Sequence, residues 1–272
     1  MSSPTVFSDS LFWSVTSPAG AESQVFGTIH VIDDTKIALP LAHLKKALRQ
    51  KGTLVLEIDP CDLDELREQG LDSLRGGEGE ESASETLSPL DVERLDTVFA
   101  SSPRLAPMKG ELMRLPAASL VPLVGSEEQL RSPLFSRATL EPELYFADYA
   151  RRVGADIVAL ENVDVQLAHL REDADLPGAL DSYFAADSID IFERYARQDL
   201  DVLADKDFTS PAMLRRNRDM AAALQRAVSE REALVLVGVA HLPRESGILA
   251  RLARAGWGVS RVELGVEKRA AT

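Results

Sequence analysis

The chain has 272 residues, of which 44 are acidic and 30 are basic, so its formal net charge is −14. This negative balance argues against nucleic acid as a partner, because a phosphate backbone would be repelled. The 45% apolar and 27% charged residues are ordinary for a globular protein with an ample hydrophobic core. No apolar run reaches the roughly 18 residues of a membrane span, and residues 1–24 lack the pattern of a signal peptide. We therefore expect a full-length, cytoplasmic protein, and the sequence does not indicate its oligomeric state.

The N-terminal part predicts a hairpin and then a strand–helix–strand unit. Residues 11–16 and 24–31 have strand patterns on either side of a turn-rich segment. Pro40 starts an amphipathic helix that runs through Leu48, and residues 53–58 form a nearly continuous apolar strand. Such strands are typical of parallel sheets that are covered on both faces.

Residues 62–152 are expected to form a mostly helical insertion. Much of the negative charge lies here, since the forty positions from Glu57 to Asp96 contain 14 acidic and 3 basic residues, a net −11. Residues 73–88 are rich in Gly, Ser and Glu and are predicted to be a mobile, solvated loop. A solubilising role is favoured for this loop. The alternative is an acidic docking surface for a basic partner.

Helices and strands alternate through the rest of the chain. The predicted elements are helix 141–152, strand 156–160, a helical stretch from Val163, a long helix from Ser210–Pro211 to about residue 230, strand 233–238, helix 246–255 and strand 258–264. This order predicts a single α/β domain over residues 1–272. Two related strand–helix–strand halves would form a mixed, mainly parallel central sheet, with the helical insertion between them.

A weak internal repeat relates the two halves. In each half a buried strand ends in a Gly-x-x-His motif, and a proline, a helix and a strand with a glutamate follow. The matching residues are Gly27, His30 and Glu57 in the first half, and Gly238, His241 and Glu263 in the second. The carboxyl ends of parallel strands are where α/β proteins usually bind ligands. Because the chain has only four histidines, two matching motifs predict one shared site.

The remaining histidines and the cysteine are weaker candidates. Cys61 is the only cysteine, so a metal site would have to use His and carboxylate ligands. His43 and His169 lie on helical patterns and are expected to be surface residues or satisfied helical residues. Glu263 alternates with other side chains on a terminal strand and is expected to be exposed.

Glu57 interrupts a strand that should be buried on both faces. An unpaired carboxylate there would cost several kcal/mol, so a cation must face it. A metal site or a catalytic role is the favoured interpretation, and a structural ion pair is the alternative. Glu161 directly follows strand 156–160, at the same expected edge. It either points into the cleft or places a favourable charge at a helix N-terminus.

Asn217 lies on the apolar stripe of helix 210–230. A buried amide needs hydrogen-bond partners, which would be either neighbouring backbone groups or groups in the cleft. The adjacent Arg216 could then reach an anionic substrate group or a carboxylate.

Together these segments resemble the TraB/PrgY/GumN family, which is related to the TIKI proteases. The resemblance rests on GTIH at 27–30, LVLEID at 54–59, LENVDVQL at 160–167, RRNRDM at 215–220 and VGVAHLP at 237–243, in the expected order. It implies that the active site is lined by His30, Glu57, Glu161, Arg216, Asn217 and His241. Gln166 matches the glutamine that follows the second glutamate in this family.

The resemblance also implies a two-halved α/β sheet and a divalent-metal-dependent hydrolase, with Mn²⁺ or Co²⁺ as the expected ion and Zn²⁺ as an alternative. Two imidazoles and one carboxylate can hold such an ion and leave positions for water and substrate. His30, His241 and Glu57 are therefore assigned as metal ligands. Glu161 is assigned as general base or alternate ligand. The other assignments are Arg216 and Asn217 as substrate or oxyanion stabilisers, and Gly27, Gly238 and Gln166 as substrate-binding residues.

Three functions follow from these assignments. The leading hypothesis is a metallopeptidase-like hydrolase that acts on an amide in a peptide, with a small-molecule ester as the alternative substrate. The second is a non-catalytic protein in which the same histidines bind haem or metal. Some distant relatives in this family bind haem, whereas others cleave macrolide esters, which is why an ester is the alternative substrate. The third is an interaction module whose acidic loop docks a basic partner.

Overall fold

The structure is a computed structural model, and it describes residues 7–29, 31–62, 65, 74–75, 80–132, 140–172, 174–185, 191–198, 200, 210–263 and 267–268. The chain divides into two compact units. The first contains residues 1–63, 134–165 and 191–272, and the second contains residues 64–133 and 166–190. The expected insertion at 62–152 overlaps the second unit over residues 64–133, whereas residues 134–152 fall in the first unit.

The first unit is built on a β-sheet. The described strands are Phe12–Thr16 (β1), Glu22–Thr28 (β2), Ile37–Ala38 (β3), Thr53–Leu56 (β4), Asp156–Ala159 (β5), Leu234–Gly238 (β6), Gly258–Arg261 (β7) and Glu267–Lys268 (β8). Within the described residues, six of them form one sheet in the order β5-β4-β6-β2-β1-β7, and β3 pairs with β8. Strands β5, β4, β6 and β2 pair in parallel, and β1 is antiparallel to both β2 and β7. The predicted mixed, mainly parallel α/β sheet is therefore confirmed.

Helices account for most of the other described residues. They are Leu41–Lys51 (α1), Ala83–Thr86 (α2), Pro89–Ser101 (α3), Lys109–Leu112 (α4), Ala117–Leu130 (α5), Pro142–Val153 (α6), Val163–Glu172 (α7), Leu176–Phe184 (α8), Ile191–Ala196 (α9), Pro211–Val228 (α10) and Ile248–Arg254 (α11). None of these described helices has the length and apolar character needed to cross a membrane.

Alternate residues of the central strands face two different hydrophobic cores. In β6, Leu234 and Leu236 pack in a core that includes residues of α1 and α6, whereas Val235 and Val237 pack in a core that includes residues of α10 and α11. Both faces of the strand are buried, which explains why its sequence is apolar throughout. The two strand–helix–strand units that the sequence predicted are present as β2–α1–β4 and β6–α11–β7.

Two glycines return the chain from a helix to the sheet. Gly52 follows α1 and Gly154 follows α6, with φ angles of 72° and 71°, a region in which other residues are strained. Strand β4 begins directly after Gly52, and β5 begins two residues after Gly154. These turns bring the two strands into the sheet side by side, so that both end at the same edge.

The second unit packs helices around its own core, which includes Leu95, Phe99, Leu120 and Leu180. Residues 83–86 form α2, although the composition of residues 73–88 predicted a loop. The reason is local, because the Glu85 carboxylate accepts a 2.9 Å hydrogen bond from the Ser82 backbone N–H and caps one helical turn. Residues 73 and 76–79 of the predicted loop lie outside the described residues.

Replacing Gly27 by alanine should destabilise the first unit. A Cβ at this position would lie 2.7 Å from Leu242 Cδ1 and 3.3 Å from the Val239 Cα, and such overpacking costs about 1–3 kcal/mol. In α5, Gly125 has open space around a Cβ, so Gly125→Ala should instead stabilise by about 0.5–1 kcal/mol. Urea denaturation of both variants measures the difference. Equal unfolding free energies for Gly27→Ala and the parent chain would contradict the packing described here.

Candidate functional site

The parallel strands bring four segments to the carboxyl edge of the sheet. Thr28 at the end of β2 is paired with Gly238 at the end of β6. On the other side of β6, Glu57 follows β4 and Glu161 follows β5, and the Glu161 backbone N–H donates to the Glu57 carbonyl at 2.9 Å. The two glutamates are therefore adjacent because their strands are paired.

A single guanidinium bridges the two carboxylates. Arg216 extends from α10 and is only 8% exposed. Its Nη2 donates to Glu57 Oε2 at 2.8 Å, and its Nε donates to Glu161 Oε1 at 2.8 Å and to Glu161 Oε2 at 3.1 Å. Nη2 also donates to Glu161 Oε1. The side chain thus supplies the cation that the sequence required opposite Glu57.

The Arg216 guanidinium stays protonated and positively charged. Burial alone would lower the pKa of the guanidinium, but the hydrogen bonds and negative charges of Glu161 and Glu57 outweigh it and raise the pKa above the ordinary arginine value. One positive and two negative groups sum to −1. The ion pair that the sequence left as an alternative is therefore present, and the three groups together still favour a further positive charge nearby.

Glu57 also contacts the turn that follows β6. Its Oε1 accepts a hydrogen bond from the Gly238 backbone N–H. A Cβ on residue 238 would lie 2.9 Å from this oxygen, so a glycine is required for the carboxylate to approach so closely. The same oxygen lies 3.7 Å from Nε2 of His241.

His241 is oriented by an amide from α10. It ends the short 3₁₀ turn Val239–His241 and is 3% exposed. Its Nδ1 lies 2.5 Å from Oδ1 of Asn217, which is itself 1% exposed. Because an amide oxygen only accepts, this contact assigns the ring proton to Nδ1. In the neutral ring Nε2 then carries the lone pair, on the side that faces Glu57.

The other assigned residues have different surroundings. His30 lies outside the described residues, but β2, the strand that leads to it, is directly paired with β6. Gly27 packs against Leu242 and Val239. Gln166 is half-buried in α7 and belongs to the second unit. Glu263 is exposed, as the sequence predicted.

A complete metal-ligand cluster is not found within the described part of the chain. No group of three His, Cys, Asp or Glu side chains among those residues is arranged to hold a metal ion. His30, one of the three ligands assigned from the sequence, is not among these residues. The described residues include the other two assigned ligands, His241 and Glu57, whose Nε2 and Oε1 atoms lie 3.7 Å apart.

Sequence reasoning missed two polar residues at the same edge. The Thr28 hydroxyl donates to Oε1 of Glu143, a residue in the first turn of α6. Thr28 carried a usable signal, because it is a polar residue in a buried strand next to Gly27. Nothing in the sequence distinguishes Glu143 from the other acidic residues of its helix.

A sequence model of the TraB/PrgY/gumN family matches residues 11–261. The chain belongs to this family. The match includes both Gly-x-x-His motifs, both glutamates of the site and all of α10, so the family predicted from the sequence is confirmed. No curated protein and no solved structure matches this TraB/PrgY/gumN-family chain.

Removing the bridging guanidinium should destabilise the folded chain. We expect Arg216→Met to lower the free energy of unfolding by about 3–5 kcal/mol, because two buried carboxylates lose their shared cation. The matched control is Arg218→Met in the same helix, since Arg218 is exposed and pairs with the exposed Asp219; its unfolding free energy should change little. Urea denaturation compares the two variants, and similar effects from both would refute the bridging role.

Proposed function

We propose that this protein is a divalent-metal-dependent hydrolase that cleaves an amide bond in a peptide. The metal ion would be held by His241, Glu57 and His30. The observation that carries the proposal is that the Nε2 lone pair of His241 and the buried Glu57 carboxylate face each other 3.7 Å apart, at the sheet edge where β2 is paired with β6.

The donor set fits a divalent ion. Imidazole nitrogen and carboxylate oxygen are ligands that Mn²⁺, Co²⁺ and Zn²⁺ accept. Two ligand atoms on one tetrahedral ion lie about 3.4 Å apart, which is close to the 3.7 Å between His241 Nε2 and Glu57 Oε1. Metal-binding histidines usually donate their other N–H to a protein acceptor, as His241 does to Asn217. Mn²⁺ or Co²⁺ is favoured by the family resemblance.

Each described residue of the site would have a separate role in hydrolysis. A bound divalent ion would lower the pKa of its water and polarise the carbonyl of the substrate. Glu161 would accept the proton of that water, at the oxygen Oε2 that receives the longer hydrogen bond from Arg216. Arg216 would hold Glu57 and Glu161 in fixed orientations, and burial of all three groups would keep bulk water from competing for them.

These contacts favour revised roles for two residues. The Arg216 guanidinium is engaged by both carboxylates, and Asn217 Oδ1 is engaged by the His241 ring. We therefore propose a positioning role for both, in addition to the role as substrate or oxyanion stabilisers expected from the sequence. The buried, carboxylate-rich surroundings of His241 also favour a metal ion over haem, which requires an apolar slot around its histidine ligand.

Loss of His241 should abolish both metal binding and hydrolysis. Elemental analysis of the purified chain is expected to find one divalent ion per molecule, which His241→Ala loses because the imidazole ligand is gone. Hydrolysis of a peptide library supplied with Mn²⁺ should stop after chelation and in this variant. His169→Ala is the matched control and should retain both properties. A folded His241→Ala variant with full metal content and activity would overturn the proposal, and cleavage of esters alone would change the substrate class.

A further inference from the structure

Residues 140–143 form hydrogen bonds with residues 28 and 32, which lie on either side of His30 in the sequence. The backbone N–H of Ile32 donates to the Leu140 carbonyl at 2.9 Å, and the Leu140 N–H donates to the Ile32 carbonyl at 2.7 Å. Three residues farther along, the Glu143 carboxylate accepts a hydrogen bond from the Thr28 hydroxyl. Residues 28 and 32, which lie two positions on either side of His30, are therefore both bound to residues 140–143.

The Thr28 contact lies at the same carboxyl edge of the sheet as the Glu57 carboxylate. Thr28 pairs with Gly238 in parallel register, and the Gly238 backbone N–H donates to Glu57 Oε1. Neighbouring strands are about 4.8 Å apart, so the Thr28–Glu143 pair lies roughly one strand beyond the candidate site.

The surroundings of this pair are buried. Thr28 is 1% exposed, and the fully buried Tyr195 donates its hydroxyl to the Gly27 carbonyl at 2.7 Å. Burial, and then the negative charge of Glu143, raises the pKa of Tyr195 well above its ordinary value, so this phenol stays protonated as a donor. The two residues before Ile29 are thus each held by a side chain from a helix, Gly27 by Tyr195 of α9 and Thr28 by Glu143 of α6.

We propose that Glu143 is a positioning residue for the first Gly-x-x-His motif, acting through the Thr28 hydroxyl on residues 28–32. It would serve this motif as Asn217 serves His241, by fixing the approach of a ligand to the site. The part of the inference that concerns metal binding rests on the proposed function. The proposed effect of Glu143 on the backbone of residues 28–32 does not depend on metal binding.

The test compares Thr28→Val and Glu143→Ala with the parent chain in two measurements. Hydrogen exchange of the metal-free chain should be about tenfold faster at residues 28–32 in both variants, because a hydrogen bond to a charged group is lost. Calorimetric titration with Mn²⁺ should show a Kd raised about 10–100-fold. In Mn²⁺ affinity the double variant should match Glu143→Ala alone, since without this carboxylate the Thr28 hydroxyl has lost the partner through which it acts.

Matched variants separate positioning from general stability. Thr28→Ser keeps the hydroxyl donor and should restore slow exchange and tight Mn²⁺ binding. Asp148→Ala removes an exposed acidic residue of the same helix, paired with Arg151, and should leave both measurements unchanged.

Three results would overturn the proposal: unchanged exchange at residues 28–32, faster exchange spread evenly over the sheet, or faster local exchange without loss of Mn²⁺ affinity. If the parent chain binds no Mn²⁺, the proposed function fails. Hydrogen exchange then tests only the effect of Glu143 on residues 28–32, which faster local exchange would support and unchanged exchange would refute.

Discussion

The carboxyl edge of the sheet depends on the ion pairs of the buried Arg216 guanidinium with Glu57 and Glu161. Strands β4 and β5 are paired, so Glu57 and Glu161 are brought together by the fold itself, and two adjacent buried carboxylates would repel each other strongly. Arg216 makes their proximity tolerable, and the apolar stripe of α10 anchors it from one side of the sheet. The same helix places Asn217 against His241. One helix therefore fixes both the charges of the site and the orientation of its described histidine.

The two Gly-x-x-His motifs are supported in parallel ways. They follow β2 and β6, which are adjacent central strands, and the glycine of each allows another group to come close: the turn after β6 in the case of Gly27, and the Glu57 carboxylate in the case of Gly238. Each motif also has a polar partner from a helix, Glu143 for the first and Asn217 for the second. These partners come from opposite sides of the sheet, since α6 and α10 belong to different cores.

Much of the fold followed from local patterns, because continuous apolar strands separated by amphipathic helices require a covered parallel sheet. The strand order did not, since β6 lies between β2 and β4 although Leu234 is 210 positions after its partner Gln24 and 180 after its partner Leu54, and no local signal sets such a pairing. The apolar neighbours of Glu57 in the sequence predicted that a cation lies opposite its carboxylate. The sequence did not indicate that this cation is Arg216, because Arg216 is 159 positions from Glu57 and only the fold brings the two residues together. The polar composition of residues 73–88 does not predict the helix at residues 83–86, which forms because Ser82 and Glu85 cap one helical turn.

We propose that both motifs and Glu57 share one divalent ion, and anomalous diffraction from crystals of the full chain grown with Mn²⁺ would locate that ion. We expect one strong manganese peak about 2.0–2.3 Å from His241 Nε2, a Glu57 oxygen and a ring nitrogen of His30. A map with no peak between these side chains, or with manganese bound only elsewhere on the molecule, would contradict it.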